Sequence, residues 1–425
     1  MIWERRGSAQ RRPRHSESNG IPRSIRSVGV GAHLGVLMAR FVQYLLLTVG
    51  LLSGCGWFAK DNTRVPTELE NIHQTVAVSE VWEASAGKGV GSKFIKLYPL
   101  IMLNNLFVID ANGEVRALER ETGGLLWKTS VNTPISAGIN GSDLLLVFGT
   151  EEGDVIAISP DDGHELWRKR LSSEVMAVSS PGLGVVVART NDGKLYGLDV
   201  VSGELLWQTG RKSPVLTLRG VSIPITSSGK LVVGFDDGKL VALTLLQGQV
   251  QWQTTLGVPR GRSELERMVD IDGEFRVRKG IIYVVGFHSQ LAAVTLSDGR
   301  ILWSRELSSY TGLDVDASRI YVTDEDSNIW AFDRRTGASL WKQEKLKYRK
   351  LTAPAAIENY VIVGDFEGYI HWMSKADGEF VARTRVDSDG ILSPPLAANE
   401  RVYVLNRGGE VAALEVVNDE ELARR

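Results

Sequence analysis

Between residue 76 and the C-terminus the chain is built from short apolar or alternating runs separated by polar, glycine-bearing turns. Leu144–Phe148, Val185–Ala188, Leu231–Val233 and Ile281–Val285 are typical. Runs this short, rich in Val, Ile and aromatic residues and bounded by Gly, Asp, Asn and Ser, predict strands rather than helices. After each run comes the same pattern: a small residue, a second small residue four positions on, a turn glycine ten on, and Trp four later. Gly113, Ala117, Gly123 and Trp127 are the first copy; Gly153, Ala157, Gly163 and Trp167 the second. Gly193, Gly197, Gly203 and Trp207 follow, then Gly238, Ala242, Gly248 and Trp252. Two copies begin with serine: Ser289, Ala293, Gly299, Trp303, and Ser327, Ala331, Gly337, Trp341. The seventh has Gly368, Trp372 and Gly378, with Ala382 in place of the final tryptophan, which suggests a looser blade. The eighth starts at Gly409 and Ala413, and its tryptophan is missing.

Each copy reads as three strands joined by two turns, with a fourth strand before it. Four short strands in about 40–45 residues make one blade of a β-propeller. The expected fold is therefore all-β, an eight-bladed β-propeller over residues 76–418. Val81-Trp82-Glu83 matches the outer-strand pattern Leu126-Trp127-Lys128. Residues 78–85 are thus expected to supply the eighth blade's last strand, closing the ring by pairing of the N- and C-terminal strands and covering an exposed edge. Each tryptophan is expected to lie across the small residue of a neighbouring strand or blade.

The first part of the chain reads as an address. Met38-Ala39-Arg40 and the apolar run Phe41–Leu52 have the layout of a secretory signal, spanning 38–54. The run is too short to cross a bilayer, which takes roughly 20 residues. It ends in Leu52-Ser53-Gly54-Cys55, which resembles the lipobox of bacterial lipoproteins, with Cys55 as the lipid-bearing residue. Residues 1–37 are Arg-rich and aperiodic and read as upstream sequence outside the mature protein. Residues 55–75 read as lipidated cysteine plus tether, and 419–425 as a tail.

Composition narrows the function. Residues 1–54 hold eight of the 49 basic residues and two of the 51 acids, so the remainder carries 41 against 49, a net charge of −8. An acidic body is poorly matched to phosphate backbones, so no nucleic acid partner is expected. Cys55 is the sole cysteine, which excludes an intramolecular disulfide and paired-cysteine metal sites. His73, His164, His288 and His371 show no metal-ligand spacing. Neither a nucleophile elbow nor a phosphate-binding loop occurs. No catalytic, cofactor or metal residues are assigned.

Spacing between the tryptophans is 40, 40, 45, 51 and 38 residues. The two longest intervals adjoin, and the blade-to-blade links within them share one rim, where repeat proteins tend to bind. They contain Leu216-Thr217-Leu218-Arg219-Gly220 and Val269-Asp270-Ile271-Asp272. In an extended segment Leu216 and Leu218 share one side, and so do Asp270 and Asp272. Arg219 adds a forked donor of the kind enriched at interface hot spots. The bland reading is that the leucines are core and the aspartates cap a turn; spacing alone does not choose. A Ca²⁺ site at the aspartates lacks the surrounding oxygen ligands such an ion takes.

Ala331-Phe332-Asp333-Arg334-Arg335-Thr336-Gly337-Ala338-Ser339-Leu340-Trp341 resembles the tryptophan-docking repeat of the quinoprotein propellers. Two groups share it: pyrroloquinoline-quinone dehydrogenases, which are enzymes, and the BamB family, lipoproteins of the outer-membrane β-barrel assembly machinery. The lipobox and the compact mature chain favour the BamB family, and the resemblance runs from Met38 to Asn418. It implies an outer-membrane lipoprotein facing the periplasm, without enzymatic activity, assisting insertion of β-barrel proteins. It also implies binding to the POTRA domains of BamA through Leu216, Leu218, Arg219, Asp270 and Asp272, and contact with unfolded outer-membrane substrates. A quinoprotein dehydrogenase-like propeller is the alternative; a glycan- or peptide-binding propeller is a third reading.

Overall fold

The computed structural model describes residues 64–417, apart from 94, 212–221, 264–265 and 272. Eight four-stranded antiparallel sheets follow one another along the chain. Blade 1 consists of Leu100–Met102, Asn105–Ile109, Glu114–Glu119 and Leu125–Ser130, from inner to outer strand. Blades 2 to 7 repeat this order over 135–170, 175–210, 225–255, 276–306, 313–343 and 355–385. Blade 8 takes three strands from the C-terminal end, Leu396–Ala398, Arg401–Leu405 and Glu410–Val417. Its outer strand is Ala77–Ser85. That strand pairs antiparallel with Glu410–Val417, from Ala77 opposite Val417 to Ser85 opposite Glu410. The propeller and its closure by both termini are as the repeat implies.

The core lies between blades, not inside any one of them. Leu145, Val147, Val155 and Ala157 of blade 2 pack with Val186, Ala188, Tyr196 and Leu198 of blade 3. The seam between blades 8 and 1 is equivalent, with Trp82, Tyr403, Val411 and Ala413 against Leu106, Val108 and Leu118. A single sheet has two apolar faces and cannot bury either alone; stacking in a ring buries both.

The repeat tryptophan makes two contacts at once. Within its blade Trp127 stands opposite Ala117, and Trp82 likewise opposite Ala413. Across the seam the ring lies on the next blade's turn glycine: a Cβ on Gly163 would sit 2.7 Å from the Trp127 ring. Gly163 also has φ +76°, a backbone region that glycine occupies without steric cost. Seven indole N–H groups donate to a carbonyl of the next blade. Trp82 to Arg120 (3.1 Å), Trp167 to Val200 (3.0 Å) and Trp341 to Lys375 (2.9 Å) are examples.

Blade 7 reverses the pair. Trp372 on its third strand faces Ala382 on its outer strand, so large and small have changed places across the same register. Both are 1% exposed, so the blade is packed and not loosened. The reason lies in the next blade. A tryptophan at 382 would dock on the turn between the third and outer strands of blade 8, and ring closure puts the two chain ends there. Trp372 accordingly has no partner for its buried Nε1.

Because the strands alternate in direction, the ring has two unlike rims. The blade-to-blade links and the turns between second and third strands form the link rim. The other hairpins, including the tryptophan-docked turns, form the hairpin rim.

Candidate binding rim

The link rim carries the two long connections, 211–224 between blades 3 and 4 and 256–275 between blades 4 and 5. Leu216, Leu218, Arg219 and Asp272 lie outside the described residues, as does Cys55; of the expected site residues, Asp270 is described.

The start of the first link is firmly set. Phe235, in the turn of blade 4 beside it, is held between two guanidinium groups, Arg189 at 5.1 Å and Arg211 at 4.9 Å from the ring centre. Arg189 is 2% exposed; its Nη1 donates to Gly234 O at 2.7 Å and its Nη2 pairs with Asp236. Arg211, the last residue before 212–221, also reaches Asp237 (3.4 Å). Stacking of arginine on an aromatic face is favourable, and more so where water is excluded. Sequence reasoning passed over this brace because its members are 22 to 46 positions apart. The aromatic-Asp-Asp run at 235–237 is its only local signal.

The second link is tucked into the ring. Val269 and Ile271 point inward, Val269 against Gly257 and Ile271 against Gly234; a Cβ at either glycine would come within 2.6 Å of them. Asp270 exchanges two backbone hydrogen bonds with Phe287, 3.2 Å and 2.7 Å. Its side chain is buried, with the residue 1% exposed. The cause is the turn at 286–288, which closes over the segment: His288 stacks on Phe287 at 3.9 Å and its Nδ1 donates to Met268 O at 3.0 Å. Farther out, Glu266 accepts from the backbone N–H of Arg262 (2.7 Å) and Ser263 (3.3 Å). These bonds hold its carboxyl below the usual range. Between the link and blade 5 lies a cavity of about 430 Å³, lined by Leu256, Val258, Arg260, His288, Gln290 and Glu306 among others.

A third link of comparable length, 86–99, reaches across this rim. The 86–99 link starts at blade 8, where Ala86 N donates to Gly409 O (2.7 Å). It reaches blade 2 through Lys93 and Glu151 (2.6 Å), and the link into blade 6 through Lys96 and Tyr310 O (3.4 Å). Ser393 Oγ donates to Leu97 O at 2.6 Å. Inside, Arg276 bridges Glu274 (2.7 Å) and Asp314 (3.4 Å). Burial, and then the Glu274 carboxylate, push the Tyr98 hydroxyl well above its ordinary value. Among the described residues no group of three or more His, Cys, Asp or Glu is placed to hold a metal ion.

The family model described as outer membrane protein assembly factor BamB matches residues 111–343. The BamB of Pseudomonas aeruginosa is 44% identical over 380 residues, covering 89% of this chain and 100% of that protein. The chain belongs to the BamB family. It is thus an outer membrane protein assembly factor. The crystal structure of BamB from Moraxella catarrhalis superposes with a TM-score of 0.73 at 26% identity, covering 80% of this chain and 100% of that one. A quinohemoprotein alcohol dehydrogenase from Pseudomonas putida shares the fold, at 10% identity and a TM-score of 0.65, with coverage of 80% and 76%. At that distance the likeness is one of architecture alone. The quinoprotein reading is not favoured.

A histidine stands out on the same rim. His371 is 0% exposed; its Nε2 donates to Asp365 Oδ2 (3.0 Å) and its Nδ1 accepts from Arg383 Nε (3.1 Å). Burial lowers its pKa below the usual 6.5, the Asp365 carboxylate opposing. The unfolded chain then binds this proton more readily, so the stability it contributes is present above about pH 6.5 and lost as pH falls through the folded value. The melting temperature should fall as pH is taken from about 7 to about 5, and His371→Gln should flatten that slope. An unchanged slope in the variant would remove His371 as its origin.

Proposed function

We propose that the protein is a lipid-anchored, non-enzymatic scaffold of the barrel-assembly machinery that grips the POTRA domains of BamA through the link rim. Cys55 carries the lipid and holds the ring at the periplasmic face of the outer membrane. Leu216, Leu218 and Arg219 of the first link and Asp272 of the second make the contact. Asp270, buried and bonded through its backbone to Phe287, holds the second segment in register. The observation that carries this reading is the placing of two long links, 211–224 and 256–275, side by side on one rim, each rooted in a stiff part of the ring. Arg189, Phe235 and Arg211 brace the first, and Val269, Ile271 and the Asp270–Phe287 bridge seat the second. Such presentation lowers the ordering cost of binding.

A second contact is favoured by the outer strands, whose free edges expose Leu125, Leu126, Leu206 and Val250 at 50–57%. Unpaired edges with apolar side chains suit addition of a strand from an unfolded barrel substrate.

A pull-down of the Cys55-less domain on BamA POTRA domains tests the first reading. Arg219→Glu and the Asp272→Lys variant should each weaken retention by at least roughly tenfold, the scale of a lost hot spot, while circular dichroism stays unchanged. Full retention by both folded variants would remove this rim from the interface. A tethered unfolded porin segment in the same format should be retained by wild type and lost on Leu206→Lys; no retention would end the strand-addition reading.

A further inference from the structure

Residues 64–76, which precede the closing strand, run over blades 6 and 7 and are bound there at Arg64, Thr67, Leu69, Glu70, Gln74 and Thr75. Arg64 pairs with Asp326 (2.7 Å), in the turn of blade 6 on the link rim. Thr67 donates its N–H and Oγ1–H to Lys347 O, both 3.0 Å. Two guanidinium groups take the segment's carbonyls: Arg349 Nη1 donates to Thr67 O at 3.0 Å and Arg383 Nη1 to Glu70 O at 2.8 Å. Leu69 packs against the core cluster that holds Leu346 and Leu351. Gln74 then donates to Arg383 O (3.3 Å) and Thr75 N to Val381 O (2.9 Å), stepping toward the hairpin rim before the chain reverses into Ala77–Ser85.

The two arginines are themselves fixed. Arg349 is 3% exposed and bonded to Asp365 Oδ2 (2.8 Å) and Glu367. Arg383 is held by His371, which leans on the same Asp365. Burying such charges is costly unless each finds partners, and here the partners left over are carbonyls of the N-terminal segment. The network therefore holds a docked strap against blade 7.

We propose that this clasp sets the orientation of the ring on the membrane, turning the link rim toward the lipid surface. The proposal rests on the reading of Cys55 as lipidated. Eight residues, 56–63, lie between Cys55 and Arg64, so the two are at most roughly 30 Å apart when the chain is fully extended. The clasp fixes Arg64 at the link rim, so the anchor reaches the ring there, and the hairpin rim lies a strand length, roughly 20 Å, farther along the chain's path. The long links at 211–224 and 256–275 are on the rim held near the membrane, where a membrane-embedded partner's own periplasmic domains begin.

The test uses the full lipidated chain in vesicles of phosphatidylethanolamine and phosphatidylglycerol carrying a headgroup acceptor dye. With Cys55 acylated, an introduced cysteine is the only free thiol. Asn191→Cys labels the link rim of blade 3 and Val201→Cys the hairpin rim of the same blade, both exposed. Energy transfer to the lipid should be at least roughly twofold stronger from 191, given a strand length between them. Leu69→Asp releases the strap without touching the arginine network; it should equalise the two efficiencies. It should also speed amide exchange at Thr67 and Thr75 by roughly 100-fold. Equal or reversed transfer in the acylated wild type overturns the orientation, and unchanged exchange in Leu69→Asp overturns the clasp. Absence of lipid on Cys55 by mass spectrometry overturns the anchor reading instead, and the orientation with it.

Discussion

Deleting residues 64–85 should abolish cooperative folding. The strand Ala77–Ser85 contributes the whole outer edge of blade 8 and pairs along eight positions with Glu410–Val417. Its loss also removes Trp82, which is 8% exposed, stacks on Gly123 and donates to Arg120 O in blade 1. Val411 and Ala413, both 0% exposed, would then lose cover at the one seam joining the last blade to the first. The ring would open, and an open ring exposes two apolar blade faces. The loss exceeds about 5 kcal/mol, on the scale of a domain's whole stability. Thermal unfolding followed by circular dichroism should show no sharp transition. The control is a circular permutant that joins Val417 to Ala77, which are register partners, through an added Asn-Gly turn, with new ends in the exposed turn at 161–162. It keeps every strand and should melt cooperatively. A deletion variant with a near-wild-type transition would show that closure is not what holds the ring.

The second large effect is expected at Trp207. Its ring lies between two glycines: a Cβ on Gly197 would be 2.2 Å from the indole and one on Gly248 2.3 Å. Its Nε1 donates to Leu245 O at 2.9 Å, tying blade 3 to blade 4. In Trp207→Ala neither glycine has a side chain that could collapse into the space, so the cavity persists. The cost should sit at the upper end of about 3–5 kcal/mol, with the lost hydrogen bond included. Urea unfolding should show a lower midpoint with an unchanged slope. Gly197→Ala tests the geometry further, because it should destabilise the wild type yet be harmless or helpful in Trp207→Ala. Additive effects of the two substitutions would mean that the ring does not occupy the space between those glycines.

Most of the architecture can be read from residues alone because the blade is a repeated contact. Ala117, Gly123 and Trp127 recur at fixed spacing since each tryptophan must meet a small residue within its blade and a bare glycine across the seam. The exchange of Trp372 and Ala382 is visible as a broken pattern. Its meaning needs the structure, which shows that the pair keeps its combined volume where no turn awaits an indole. Other features leave no local trace. Arg349, Asp365, His371 and Arg383 are spread over blade 7 and meet only when the blade folds, and their targets lie some 280 to 310 positions earlier, at Thr67 and Glu70. Asp270 misleads a reading by alternation. Period-two logic gives it a side, while the turn at 286–288 decides what covers that side.

In the proposed assembly the link rim near 211–224 and 256–275 is the docking face. Amide hydrogen exchange of the folded domain, alone and with BamA POTRA domains, tests it most directly. Exchange should slow at Arg211–Pro224 and Leu256–Phe275, with hairpin-rim turns such as 161–163 and 201–203 unaffected. Protection confined to the hairpin rim, or no protection anywhere at saturating partner, would contradict it.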